Sequence, residues 1–322
     1  MKKRTIAVIM AVLMLSAVFV GCGDSDGERD LELLMATGGT AGTYYPLGGA
    51  IANAWSEHID GVNVGVQSSG ASVENMRLLE RGEAELVMAM NNIAEDAFNG
   101  DGDFEQPVTN FKAVGVIYPE VMQIFARADS DINTISDLKG KRVAVGPPGS
   151  GTEATFREIV AAYGLSYDDF RDIQVPFGDA ADQFKDGHID VAANVLAVPA
   201  GAINDVITSR DIQFVEIDGE GLEALQEAYP LAAPYVIPGG TYDGVPEDAN
   251  TVALQAVLYV TDELDEEVVY NLTKVMYEKN DEIARGHARG EQISIDNAVD
   301  GITTPLHPGA IRYYEEVGVE LP

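Results

Sequence analysis

Three times in this chain an apolar run of strand length breaks into a loop of Gly, Ser and Thr and then into an amphipathic segment. The junctions are TGGTAGTYYP at 37–46, QSSGASVEN at 67–75 and GPPGSGTE at 146–153. Strand-like runs alternating with helical segments pack as α/β layers, with helices laid against a sheet. Each junction has its own chemistry. Glycines let backbone approach closely, and a helix start presents N–H groups with partial positive charge. Ser and Thr hydroxyls add short-reach donors. None of the three junctions contains Lys or Arg. Such loops suit a small anion held without a buried lysine or a metal.

The rest of the chain follows the same alternation. LELLMATGG reads as a strand running into the first loop. TYYPLGGAIANAWSEHI reads as a helix with Tyr45, Ile51, Trp55 and Ile59 on its apolar face. VNVGVQ is a strand, SVENMRLLERGEA a helix capped by Ser72, and AELVMAM, FKAVGVIY and VMQIFAR are further strands. A second round starts at Ile132 and runs through KRVAVG, TEATFREIVAAYG, IQVPFG, DAADQFKDGHIDVAANV, PAGAINDVITS and IQFVEI. PYVIPGGTY leads back to the first set, followed by the strand TVALQAVLYVT and the helices EEVVYNLTKVMYEKNDEIARGH and HPGAIRYYEEVG. The expectation is two α/β lobes, the second inserted in the first. Residues 30–119 with 240–322 form lobe 1 and residues 120–239 form lobe 2, with hinge crossings at about 119–126 and 233–240.

The first residues belong to export. MKKRT is basic, and IAVIMAVLMLSAVFV is of signal-peptide length and too short for a comfortable membrane span. Gly21-Cys22 followed by GDSDGERD resembles a bacterial lipoprotein signal. Residues 1–21 are therefore expected to be a signal peptide, Cys22 the lipidated residue and 22–29 a polar tether. The protein would then be extracytoplasmic and lipid-anchored. Cys22 is the chain's one cysteine, so disulfides, thiol redox chemistry and Cys metal sites are excluded. The formal charge is −33, with 53 Asp and Glu against 20 Lys and Arg. That charge repels nucleic acid and acidic membrane surfaces, and its even spread suits a surface adapted to high salt.

Competing motifs fail at identifiable residues. GPPGSGTE has the glycine spacing of a phosphate-binding loop, but Thr152 and Glu153 stand where Lys and Ser/Thr belong, and Glu153 would repel the phosphates. Asn99, Asp101, Asp103 and Glu105 begin like a calcium loop. Phe104 then occupies the obligatory Gly position and Asn110 the bidentate Glu position. His58, His188, His287 and His307 form no i, i+4 metal pair, and Ser150 lies in no nucleophile elbow. No enzyme activity, cofactor or metal is expected.

The stretches TGGTAGTYYPLGGAIANAW, SGASVENMRLLERGEAEL, DLKGKRVAVGPPGSGTE, DGHIDVAANV, YPLAAPYVIPGGTY and PLHPGAIRYYEEVG together resemble one family in order and spacing. They are similar to the TAXI solute receptors of tripartite ATP-independent periplasmic (TRAP) transporters. The likeness runs over nearly the whole chain after the signal and is most specific in TGGT-x-GTYYP and LHPGA-x-RYY. It implies a two-lobed periplasmic binding protein of type II-like topology, two Rossmann-like domains closing on a ligand. The ligand class would be a small organic acid or amino acid such as glutamate or 2-oxoglutarate. The partners would be TRAP membrane subunits driven by an ion gradient. Carried over by residue, lobe 1 supplies Gly42, Thr43, Tyr44, Ser69, Gly70, Ser72 and Asn91. Lobe 2 supplies Ser150, Gly151, Thr152 and Glu153, with Tyr235 at the return crossing. For Glu153 three roles stay open: capping, repelling unwanted charge, or holding a ligand ammonium. The chain departs from the family at NVLAVPAGA, where Asn194 and Val198 leave ligand choice open. Alternatives are the receptor of an ATP-driven importer or of a membrane kinase. A monomer is expected.

Overall fold

The computed structural model describes residues 30–322. The signal peptide, the 22–29 tether and Cys22 lie outside the described residues. In chain order the elements are β1 (Leu31–Ala36), α1 (Tyr44–His58), β2 (Val62–Gln67), α2 (Ser72–Glu80), β3 (Leu86–Met90) and α3 (Asn91–Asn99). They continue with β4 (Phe111–Arg127), β5 (Arg142–Ala144), α4 (Gly151–Ala162), β6 (Arg171–Ile173), α5 (Phe177–Lys185), β7 (Val191–Leu196) and α6 (Gly201–Ile207). β8 (Ile212–Phe214), α7 (Gly219–Ala228), β9 (Ala233–Ile237), β10 (Ala249–Thr261), α8 (Glu266–Glu278), α9 (Asn280–Gly286) and α10 (Pro308–Val317) complete the chain.

Among the described residues these strands form one sheet in the order β2-β1-β3-β10-β4-β7-β5-β6, with β8 beside β4 and β9 beside β10. β1 pairs parallel with β3, and β5 lies parallel to both β6 and β7. Between these parallel groups run the long strands β4 and β10, antiparallel to each other and to β3, β7, β8 and β9. Every residue of β3 (LVMAM) and of β7 (VAANVL) is buried, the pattern of strands covered by helices on both faces. Trp55 is buried, and its indole N–H donates to the Leu272 carbonyl at 2.8 Å, tying α1 to α8. Tyr313 and Tyr314 pack inward from α10.

The elements differ from expectation in four places. FKAVGVIY and VMQIFAR are one 17-residue strand, β4, which runs straight through Pro119. The helix expected over 266–287 breaks at Lys279, whose φ of −111° and ψ of 19° leave the helical range and separate α8 from α9. α3 and α7 are additional helices. On α1 the buried tyrosine is Tyr44, while Tyr45 is 36% exposed.

Candidate functional site

The loops after β1, β2, β5 and β6, together with the carboxyl ends of the strands β3 and β7, line a single cavity of about 400 Å³. Ligands of open α/β sheets bind in this position, outside the strand ends where connections diverge. The starts of α1, α2, α4 and α5 all open into it, through Thr43 and Tyr44, Ala71 and Ser72, Gly151 and Thr152, and Phe177 and Gly178. First-turn N–H groups have no partner within their own helix, and each helix start carries about half a positive charge. The lining holds the acids Glu120 and Asp179 and no Lys, Arg or His.

Local sequence explains the close approach of these helix starts. A Cβ on Gly151 would lie 2.5 Å from Met90 Sδ and 2.8 Å from Ser72 Oγ, so only glycine lets α4 sit against β3 and α2. Ala71, just before α2, adopts φ 78° and ψ −146°, a conformation ordinarily left to glycine. Asn75 is fully buried and holds the loop from beneath. Its Nδ2 donates to the carbonyls of Thr37 at 2.6 Å and Met88 at 2.8 Å, while its Oδ1 accepts from Ser69 Oγ at 2.6 Å.

Gly42, Thr43, Tyr44, Ser69, Gly70, Ser72, Ser150, Gly151 and Thr152 all line the cavity. Their donors are not equally available to a ligand. The Gly42 N–H donates to the Gly39 carbonyl at 2.9 Å, and the Gly70 N–H to Glu74 Oε2 at 2.7 Å. Ser150 Oγ caps α4, accepting from the Glu153 N–H at 3.1 Å and donating to the Pro147 carbonyl at 2.7 Å. Ser72 and Thr152 use their hydroxyls as acceptors, from the N–H groups of Met90 at 3.1 Å and Val195 at 3.3 Å, which leaves each hydroxyl proton to give.

Three expected residues lie elsewhere. Asn91 ties α3 to β10, its Nδ2 donating to the Gly301 carbonyl at 2.9 Å and its Oδ1 accepting from the Gln255 N–H at 3.0 Å. Glu153 is only 7% exposed, and its carboxylate turns away from the cavity to accept from the Tyr167 hydroxyl at 2.9 Å, 3.9 Å from Arg157. Tyr235 sits in β9 opposite Thr251 of β10, away from the cavity lining.

The buried acid of the cavity is instead Glu120, in the middle of β4. It is 4% exposed, accepting from the Tyr44 hydroxyl at 2.5 Å and the Tyr118 hydroxyl at 3.1 Å. Burial pushes its carboxyl up to about 7 against the opposing pull of the two phenol hydrogen bonds. Burial together with the Glu120 charge raises both tyrosines well above their usual value. The sequence carried a signal here, because Glu120 is the lone charged residue between Val114 and Ala126. Phe177 and Asp179 lie in VPFGDA, a fourth strand-to-helix junction that has one Gly and no Ser or Thr to announce it.

The fold is shared with solved binding proteins. The chain is similar to the periplasmic aliphatic sulphonate binding protein SsuA from Escherichia coli, with a TM-score of 0.50 and 15% identity over 89% of this chain and 83% of that one. It is also similar to a protein of Bordetella bronchiseptica RB50, with a TM-score of 0.54 and 19% identity over 90% of each chain. A binding protein component of an ABC phosphonate transporter from Pseudomonas aeruginosa matches with a TM-score of 0.53 and 13% identity, over 83% of this chain and 81% of that one. These likenesses establish a mixed α/β fold of the type II-like periplasmic binding protein kind. The pattern of the NMT1-like family matches residues 35–318, and the chain belongs to that family.

Proposed function

We propose that the protein is an extracytoplasmic solute-binding protein that captures a small organic acid or amino acid in this cavity and delivers it to the membrane subunits of a TRAP transporter. The observation that carries the reading is the lining: four helix starts and the hydroxyls of Thr152 and Ser72 face a space of about 400 Å³ that, among the described residues, no cationic side chain lines. Hydrogen bonds to a charged partner contribute roughly 1.5–3 kcal/mol each. A few of them, offset by ordering and closure, give about micromolar binding, or roughly −8 kcal/mol.

In this reading the cavity is the closed cleft between two lobes. The first crossing stays at 119–126, in β4. We put the second in β10 near Ala253–Ala256 in place of 233–240, a choice supported by the packing of Tyr242, Ala249 and Ala253 with Phe125 and Phe184. Closure is then held by contacts across the cleft. The Glu74 N–H donates to the Gly149 carbonyl at 3.0 Å, Asn92 Nδ2 to Thr155 Oγ1 at 3.1 Å, and Arg157 pairs with Asp103 at 2.6 Å. A ligand that bridges both sides favours this state by its differential contacts. The coupling to TRAP subunits rests on the TAXI-like segments, and anchorage would be through lipid on Cys22.

A thermal-shift screen against amino acids, dicarboxylates and 2-oxo acids tests the binding class. A ligand at 100 times its Kd adds about 2.7 kcal/mol of stability, and no shift with any carboxylate would overturn it. Uptake into vesicles carrying the cognate membrane subunits tests the transporter class. Transport driven by an ion gradient without ATP is expected, and an ATP requirement would assign the receptor to an ATP-driven importer.

A further inference from the structure

Glu120 has no ionic partner. Among the described residues it forms no salt bridge, and its hydrogen-bond partners are the two neutral phenols of Tyr44 and Tyr118. An ionised carboxylate offers about four acceptor positions, and two are filled. Glu120 itself lines the cavity. A buried carboxylate without a counter-ion is expensive, and nothing in the lining supplies one. Asp179, the other acid there, is exposed.

The cavity therefore has two poles. Helix starts and the hydroxyls of Ser72 and Thr152 present hydrogens, whereas Glu120 presents lone pairs. A dicarboxylate or 2-oxo acid would satisfy the first pole and set its own oxygens against the second. A zwitterion satisfies both. Resting on the proposed carboxylate-binding role, the geometry points to an α-amino acid as the ligand, with its ammonium group donating to Glu120 between Tyr44 and Tyr118. The ammonium-holding role left open for Glu153 by the sequence passes to Glu120, because Glu153 faces Tyr167 and Arg157.

Calorimetry on the purified protein tests this with matched ligands: L-glutamate against 2-oxoglutarate, and L-leucine against 4-methyl-2-oxopentanoate and isopentylamine. The expected result is that at least one amino acid binds and its oxo acid binds about 100-fold more weakly or not at all. Glu120→Gln should weaken that amino acid by about 30-fold or more, the effect of removing one partner of a buried charge pair. It should raise any oxo-acid affinity, because the opposing carboxylate is gone, whereas a purely structural role for Glu120 would weaken both alike. The wild-type amino-to-oxo ratio decides the matter even where the variant folds poorly. An oxo acid that binds as tightly as its amino acid overturns the ammonium site and keeps the carboxylate reading. Isopentylamine binding with no carboxylate bound supports the ammonium site and removes the carboxylate reading. Absence of binding by every compound overturns both.

Discussion

A carboxyl group without a counter-ion inside a protein makes the fold sensitive to pH. Glu120 rises from the ordinary 4.5 to about 7, so between those values the folded chain keeps a proton that the unfolded chain has released. Its contribution is neutral below pH 4.5, turns unfavourable as pH rises and reaches its full penalty, about 3 kcal/mol, above pH 7. Glu120→Gln should therefore raise the melting temperature of the unliganded protein more at pH 8 than at pH 5. An equal change at both would show that the group does not titrate in that window. Ala71 carries a second local load, since its φ of 78° and ψ of −146° suit glycine. Ala71→Gly relieves strain worth about 1–3 kcal/mol and adds back about 0.4–1 kcal/mol of chain entropy, so the melting temperature should rise by a few degrees. A fall on thermal denaturation would contradict that. Both residues show where sequence reading stops. The Gly, Ser and Thr of the three junctions announce themselves locally, and most of them do line the cavity. Glu120 acquires its meaning only when β4 brings it under Tyr44, 76 positions away. The choice between Tyr44 and Tyr45 was one residue of helical phase, too fine for periodicity to decide.

At the level of elements, the start of α4 separates two hydroxyls that the sequence treats alike. Ser150 spends its hydroxyl on the cap and on Pro147, while Thr152 keeps a proton for the cavity. Ser150→Ala should cost about 1 kcal/mol of stability with little change in ligand affinity, as loss of an N-cap does. Thr152→Ala should weaken binding by several-fold to tenfold, with a stability cost of about 1 kcal/mol as well, since the buried Val195 N–H loses its acceptor. Calorimetry and thermal melts on the two variants separate these outcomes, and the reverse pattern would exchange the roles. The α/β alternation was legible because strands and helices differ in period. In the sequence FKAVGVIY and VMQIFAR stand apart around Pro119, which lacks an N–H of the kind a ladder uses. In the structure Pro119 stands opposite Gln255 of β10, and the strand continues past it. α3 begins at the polar pair Asn91-Asn92, so its apolar positions Ile93, Ala94 and Ala97 were too sparse to announce a helix.

For the whole molecule, the proposed closure is the property to test. Arg157 reaches from α4 to Asp103, in the loop after α3, which spans the proposed cleft. The pair is partly exposed, so Arg157→Ala should shift the open and closed populations modestly, by up to about 1 kcal/mol, and weaken binding no more than about fivefold. Small-angle scattering of the unliganded variant should show a more extended average than wild type, and identical profiles would remove this pair from the closure mechanism. The boundary between the proposed lobes is hard to read from sequence, since Pro-Gly segments such as VIPGGTY look like boundaries whether or not the packing changes there. The positive pole of the proposed site has a genetic consequence. Apart from the hydroxyls of Ser72 and Thr152 it consists of peptide groups, which no codon specifies, so few point mutations can delete it as one could delete an arginine. A proline in the first turn or a side chain at Gly151 would block it, but most other substitutions leave it standing. Ligand choice can then be retuned at Glu120, Phe177 or Asp179 without losing the capacity to hold an anion, and errors in the gene are buffered where capture depends on them most.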